Sequence, residues 1–288
     1  MRKKLDDPNR LAKLLIRSDL ITPYQAKHLL AGRMFGFYFG KCKILDVLGR
    51  SGMGTVYLAE QITMRRLVAV KVVRRVMRSR SETLARFTQE ACAVASLKHP
   101  NIVQAYDFDQ ANGIPYIVME HVEGMSVDQQ GEQLGPLHYT QAAEYVRQAA
   151  AGLQHAHKNR FVHRDIKPEN LLVDIGGTVK LMDLRLCSSL CEENESDKLT
   201  SDSDRVGTVD YIAPKQALNS KTADIRADIY SLGAVFYFMW TGRILYPDSS
   251  TSQKLIYQQT IPSNSPMPRN SPNPAQQMPS LASSAMIA

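Results

Sequence analysis

With 288 residues, 44% hydrophobic and 22% charged, the chain has the make-up of a soluble globular protein, with room for one large domain or two lobes around a cleft. Its four cysteines (Cys42, Cys92, Cys187, Cys191) fit neither a disulfide framework nor paired zinc spacing, and read as reduced thiols in a cytoplasmic protein. The net charge of +7 is uneven, since residues 1–38 hold eight Lys/Arg against three Asp. Such a leader can touch nucleic acid or anionic lipid, but its charges are scattered rather than blocked, the pattern of a solvated helical face. No nucleic-acid partner is expected.

Asp6, Asp7, Arg10 and Lys13 interrupt any apolar run at the start, so no signal peptide is expected. Leu11, Leu14 and Leu15 stand at helical spacing and predict a helix over 9–17. A second helix opens with Thr22 as N-cap, Pro23 at its first position and Gln25 completing a capping box, with Gly32 as its stop. Residues 1–38 are thus expected to form a helical extension that docks on the main domain or on a partner. From 39 to about 120 strands prevail: 44–49 and 55–60 flank a glycine turn, and 67–73 is a β-branched run. A helix is predicted over 82–97.

After Gly124 helices dominate. One covers 141–158 with Val146, Ala150 and Leu153 facing inward, and another covers 227–240. The uncharged stretch 229–242 is too short to span a bilayer and reads as a buried core helix. Between these helices, 171–174 and 178–183 form a short hairpin around Gly176-Gly177. From about Pro262 the chain is rich in Pro, Ser, Asn and Gln, so 263–288 is expected to be a disordered tail.

The chemistry-bearing residues are clustered in short runs. Gly49, Gly52 and Gly54 lie between two strands, where a glycine hairpin can bring backbone N–H groups close to phosphates. The flanking strands argue against a dinucleotide-binding turn, which opens a helix. Lys71 ends the run Val68-Ala69-Val70-Lys71, and Glu90 lies on the following predicted helix. His163-Arg164-Asp165-Ile166-Lys167-Pro168-Glu169-Asn170 sets a carboxylate, an ammonium and an amide in one loop. Such groups can accept a hydroxyl proton, steady a transferring phosphate and hold a magnesium ion. Asp183 follows Asn170 by thirteen residues, at the end of the second hairpin strand.

These runs, in this order, resemble the bacterial Hanks-type serine/threonine protein kinases over about residues 39–262. The resemblance implies an α+β, two-lobed protein-kinase-like fold, with a β-rich N-lobe (39–122) and a helical C-lobe (123–262) that is incomplete at its end. It implies Asp165 as proton acceptor, Lys167 as the stabiliser of the transferring group, and Asn170 and Asp183 as ligands of Mg²⁺ or Mn²⁺. ATP would be held by Leu48, Gly49, Gly52, Gly54, Val56, Ala69, Lys71, Glu90 and Leu172, with the backbone of Glu120 and Val122 meeting adenine. Protein substrates are expected, with self-association for autophosphorylation. Arg164, Thr200, Ser201, Ser203 and Thr208 are the regulatory candidates, the arginine as partner of a phosphorylated activation loop.

Three features depart from the family pattern. Arg185 stands where D-F-G has glycine, and Lys215 stands where A-P-E has glutamate. The closing helices do not follow before Ala288, so the helix 229–240 is expected to be poorly covered and the C-lobe marginal. A pseudokinase that binds nucleotide or a partner without transfer is the alternative reading. A third is a scaffold whose leader and tail do the binding.

Overall fold

The computed structural model describes residues 7–51, 54–73, 95–183, 208–218 and 224–246. The helix expected over 82–97 lies almost wholly outside them, as does the tail 263–288.

Asp7 caps α1 (Pro8–Arg17) by accepting the Asn9 N–H at 3.0 Å. Helix α2 (Pro23–Leu30) opens with the expected reciprocal capping box: the Gln25 N–H donates to Thr22 Oγ1 at 3.2 Å, and the Thr22 N–H to Gln25 Oε1 at 3.1 Å. Six antiparallel strands follow: β1 (Tyr38–Phe39), β2 (Cys42–Ser51), β3 (Gly54–Gln61), β4 (Arg66–Val73), β5 (Ala105–Ala111) and β6 (Ile114–Glu120). Their spatial order is β1-β2-β3-β4-β6-β5. Strand β4 is buried on both faces. Period two sends Val68, Val70 and Val72 into a core with Ile44, Ala59, Tyr116 and Val118, and turns Ala69 and Lys71 the other way.

The second half holds β7 (Gly124–Ser126), β8 (Leu171–Asp174) and β9 (Val179–Leu181) in a small sheet, with α3 (Val127–Leu134), α4 (Tyr139–Lys158), α5 (Pro214–Leu218) and α6 (Ile225–Thr241). The β8–β9 turn is as expected: Gly177 has φ +81°, and Asp174 Oδ1 accepts the N–H groups of Gly176 and Thr178 at 2.9 and 2.8 Å. Strand β7 makes that hairpin three-stranded. It is too short to show alternation in the sequence.

One expectation for α4 needs correction. Its buried stripe is Ala142, Tyr145, Ala149, Gly152, Leu153 and Ala156, while Ala150 is exposed. The 142–145–149–152–156 spacing faces α6 and the small sheet. Ala150 instead lines an open apolar groove between α4 and α6, with Ile225 and Ile229 across from it. Ile229 is 60% exposed among the described residues, while Leu232, Val235 and Met239 of α6 are buried; the residues after 246, on which the expected poor cover of this helix turns, lie outside the described ones.

The two helices and the loop between them are joined by Asp228. This carboxylate is 1% exposed. It accepts the His163 N–H at 2.8 Å, the Arg164 N–H at 2.7 Å and a hydrogen bond from His157 Nε2 at 2.8 Å. Removing it strands two buried backbone donors. Asp228→Ala is therefore expected to lower unfolding free energy by about 3–5 kcal/mol, and Asp228→Asn, which keeps one acceptor oxygen, by less; denaturant titration reads both. A Cβ at Gly152 would stand 2.7 Å from the Asn101 carbonyl, which accepts the Leu181 N–H at 2.9 Å. Gly152→Ala should cost about 1–3 kcal/mol in the same titration, despite the better helix propensity of alanine.

Candidate active site

The cleft is built from the strand parity just described. Directly paired residues share a face, so Val56 and Lys71, Leu58 and Ala69, and Met119 and Ala69 all look away from the first core. Lys71 is 6% exposed, and its ammonium meets Asp183 Oδ1 at 2.5 Å. This ion pair joins the six-stranded sheet to the segment after β9.

Asp183 is fixed by its neighbours. The Met182 N–H donates to the Asn170 carbonyl at 3.0 Å, the Leu181 N–H to Asn101 and the Val103 N–H to Leu181, both at 2.9 Å. His163, fully buried, places Nε2 3.0 Å from the Met182 carbonyl. Asp183 and Arg164 have φ of +58° and +62°. Left-handed backbone at non-glycine residues costs about 1–3 kcal/mol and persists only where surrounding bonds over-determine it. Here those bonds are the Asp228 carboxylate on the Arg164 N–H and the Gln216 amide on the Arg164 carbonyl at 2.6 Å. Burial, the largest single influence, pushes the Asp183 carboxyl up, but the charge and hydrogen bond of the Lys71 ammonium act against it. With lesser help from His163 and Lys167, Lys71 holds the group below the usual carboxylate range.

Asn170 closes a single 3₁₀ turn, Pro168–Asn170, and is buried. Its amide nitrogen donates to the Asp165 carbonyl at 2.8 Å and to Asp165 Oδ2 at 3.1 Å. The nitrogen being used this way, the amide oxygen is left to accept. Lys167 acts electrostatically on Asp183, Asp128 and Glu169 together. Burial pushes the Glu169 and Asp128 carboxyls up, and Lys167 opposes both.

Among the described residues no three His, Cys, Asp or Glu groups could hold a metal by themselves. The Asp183 carboxylate and the Asn170 amide oxygen, on segments joined by the Met182–Asn170 backbone bond, are instead the kind of sparse oxygen set that suits Mg²⁺ or Mn²⁺ bound partly through substrate phosphates. The residues fit that ion.

The remaining candidates fall around this centre. Gly49 pairs with Val56, and the ladder continues to Ser51 and Gly54; Gly52 lies outside the described residues. Leu48 is exposed at the second of two bulges in β2. Leu172 pairs with Lys180 on the small sheet, and Val122 is half-buried after β6. Glu120 enters by its side chain too, which sequence reasoning missed: Lys180 Nζ lies 2.8 Å from its Oε1. That bridge ties the end of β6 to the strand leading to Asp183. No local pattern announces it, because the partners lie on separate sheets.

Glu90, Arg185, Thr200, Ser201 and Ser203 lie outside the described residues. Thr208 begins a short 3₁₀ turn, Thr208–Tyr211. Lys215 is exposed on α5, so no buried charge is stranded there.

Comparison with known proteins agrees with this geometry. The family model described as the protein kinase domain matches residues 42–286. Serine/threonine-protein kinase PrkC of Bacillus subtilis is 41% identical over 211 residues, which is 73% of this chain and 32% of that protein. The probable serine/threonine-protein kinase PknB of Lactococcus lactis is 38% identical, over 77% of this chain and 35% of its own length. PknB of Mycobacterium leprae is 38% identical, over 68% of this chain and 32% of its own. The match thus spans about a third of the length of these curated relatives. On the strength of a match over most of its residues, the chain belongs to the protein kinase domain family, among bacterial relatives named serine/threonine kinases.

Proposed function

We propose that the protein transfers the γ-phosphate of ATP to Ser or Thr hydroxyls of protein substrates, copies of itself included. The observation that supports this most is the convergence of Lys71, Asp183, Asn170 and Asp165. Four residues from three separated segments are held together by a 2.5 Å ion pair and by the Asn170–Asp165 bonds.

In this reading adenine sits between Val56 and Ala69 on one side and Leu172 on the other, against the backbone of Glu120 and Val122. Leu48 and the glycine turn of Gly49, Gly52 and Gly54 cover the phosphates, and Lys71 pairs with them, oriented by Glu90. A divalent ion, when bound, neutralises charge on the phosphates; Asn170 and Asp183 would hold it. Asp165 accepts the hydroxyl proton as the substrate oxygen bonds to the γ-phosphorus. The bond to the β–γ bridging oxygen breaks and ADP leaves. Lys167 offsets charge on the moving group.

We place the boundary between lobes at residues 122 and 123, with 1–38 as an added helical unit. Thr200, Ser201, Ser203 and Thr208 are the proposed sites of autophosphorylation, with Arg164 as the proposed partner of the added phosphate. A cytoplasmic location accords with the reduced Cys42, which is buried and free. No helix among the described residues is long and apolar enough to cross a membrane. The pseudokinase reading is less favoured, because the relatives are named serine/threonine-protein kinases and the exposed Lys215 strands no buried charge.

The test is incorporation of labelled γ-phosphate into the protein and into a generic basic protein, with Mg²⁺ or Mn²⁺. Asp165→Asn, which keeps an acceptor for Asn170, should lower the rate by roughly 10²–10⁴-fold, and chelation of the metal should abolish transfer. Transfer by Asp165→Asn at the wild-type rate would refute the assignment.

A further inference from the structure

We infer that the leader hairpin is a strap that sets the position of the glycine-rich strand β2, with Thr22 and Gln25 as positioning residues for nucleotide binding. The inference rests on the reading of the cleft given above.

A capping box uses the Thr22 hydroxyl and the Gln25 amide oxygen as acceptors. Each side chain also carries a donor for which the box has no use. Both donors go to β2. The Thr22 hydroxyl donates to the Leu45 carbonyl at 2.6 Å, and the Gln25 amide nitrogen to the Ile44 carbonyl at 2.6 Å. Gln25 is 4% exposed, far more enclosed than a polar residue on a loosely attached helix would be.

The two carbonyls sit at the first bulge of β2. There the register with β3 slips between Ile44 and Asp46, leaving Leu45 as the extra residue. Ile44 itself stays paired with Ala59, and its N–H donates to the Phe37 carbonyl at 2.8 Å, so its own carbonyl faces away from β3. An enclosed carbonyl without a donor is costly, and the leader supplies the donors on this side of the bulge. Tyr24 of the same helix packs on Tyr57 of β3, ring centroids 6.3 Å apart, so α2 grips both strands that carry the glycine turn.

Leu48 and Gly49 follow within one further bulge of this anchor. A strand fixed at Ile44 and Leu45 delivers them in one register. A strand released there can absorb the extra residue, and a one-residue slip turns each later side chain to the opposite face. Docking of the leader is thereby linked to the shape of the phosphate-covering turn.

The two ties can be cut without uncapping the helix. Gln25→Glu keeps the oxygen that accepts the Thr22 N–H and loses the donor to Ile44. Thr22→Asp keeps an N-cap acceptor and loses the donor to Leu45. Thr22→Ser keeps both functions. In the full chain, ATP–Mg²⁺ affinity is read by calorimetry, and amide exchange is followed in peptides covering 42–51, 54–61 and 163–170. Either donor-less variant should bind ATP about three- to tenfold more weakly and exchange faster in the first two peptides only. Thr22→Ser should match the wild type. Faster exchange confined to 8–30, with wild-type affinity, would assign the bonds to hairpin stability alone and overturn the proposal. Failure of the wild-type protein to bind ATP would sink the reading of the cleft and this proposal with it. Normal wild-type binding with unchanged variants would sink the proposal alone.

Discussion

A single buried carboxylate holds the catalytic segment in place. Asp228 projects from α6 and accepts the N–H groups of His163 and Arg164, two residues that strand and helix ladders cannot satisfy. The bonds oblige Arg164 to keep its left-handed backbone, which in turn fixes where Asp165 leaves the chain. His163 then reaches up to the Met182 carbonyl, so the same anchor steadies the residue before Asp183. The carboxylates of Asp165 and Asp183 are thus positioned from one point in the helical core. A loop of irregular backbone behaves as a rigid element because its donors are spoken for.

The other half of the site depends on strand parity. Strand β4 is apolar on one face, and that face is consumed by the first core. Lys71 must therefore emerge on the opposite face, where burial would penalise an unpaired ammonium. Asp183 meets it, and each charge makes the other tolerable. The pair ties the six-stranded sheet to the segment after β9, and Glu120 with Lys180 ties the same sheet to β9 itself. Neither is arranged for stability alone.

How much of this was legible in the sequence depended on range. The Thr22–Gln25 box and the hairpin turn at Gly176-Gly177 are set by neighbours within a few residues, and each formed as expected. The identity of Lys71, Asp165, Asn170 and Asp183 could be read from short runs whose order carries the family resemblance. What could not be read were the partners chosen across the fold. Gln25 has nothing local to reveal that its amide nitrogen ends on Ile44, and Lys180 looks like an ordinary strand lysine until Glu120 is beside it. On α4 the expected inward face holds for Leu153, which is buried, and Val146, which packs on the core, but not for Ala150. All three lie on one apolar stripe, and only the direction from which α6 approaches decides against Ala150.

The proposed function needs Asp183 and Asn170 to share one metal-nucleotide centre with Lys71 and Asp165. Water-proton relaxation of Mn²⁺, titrated into the protein with and without ATP, examines that centre without requiring turnover. Enhanced relaxation is expected for the wild-type protein when ATP is present, with its loss in Asp183→Asn at equal ATP and metal concentration. Enhancement of the same size in Asp183→Asn would remove this residue from the metal site.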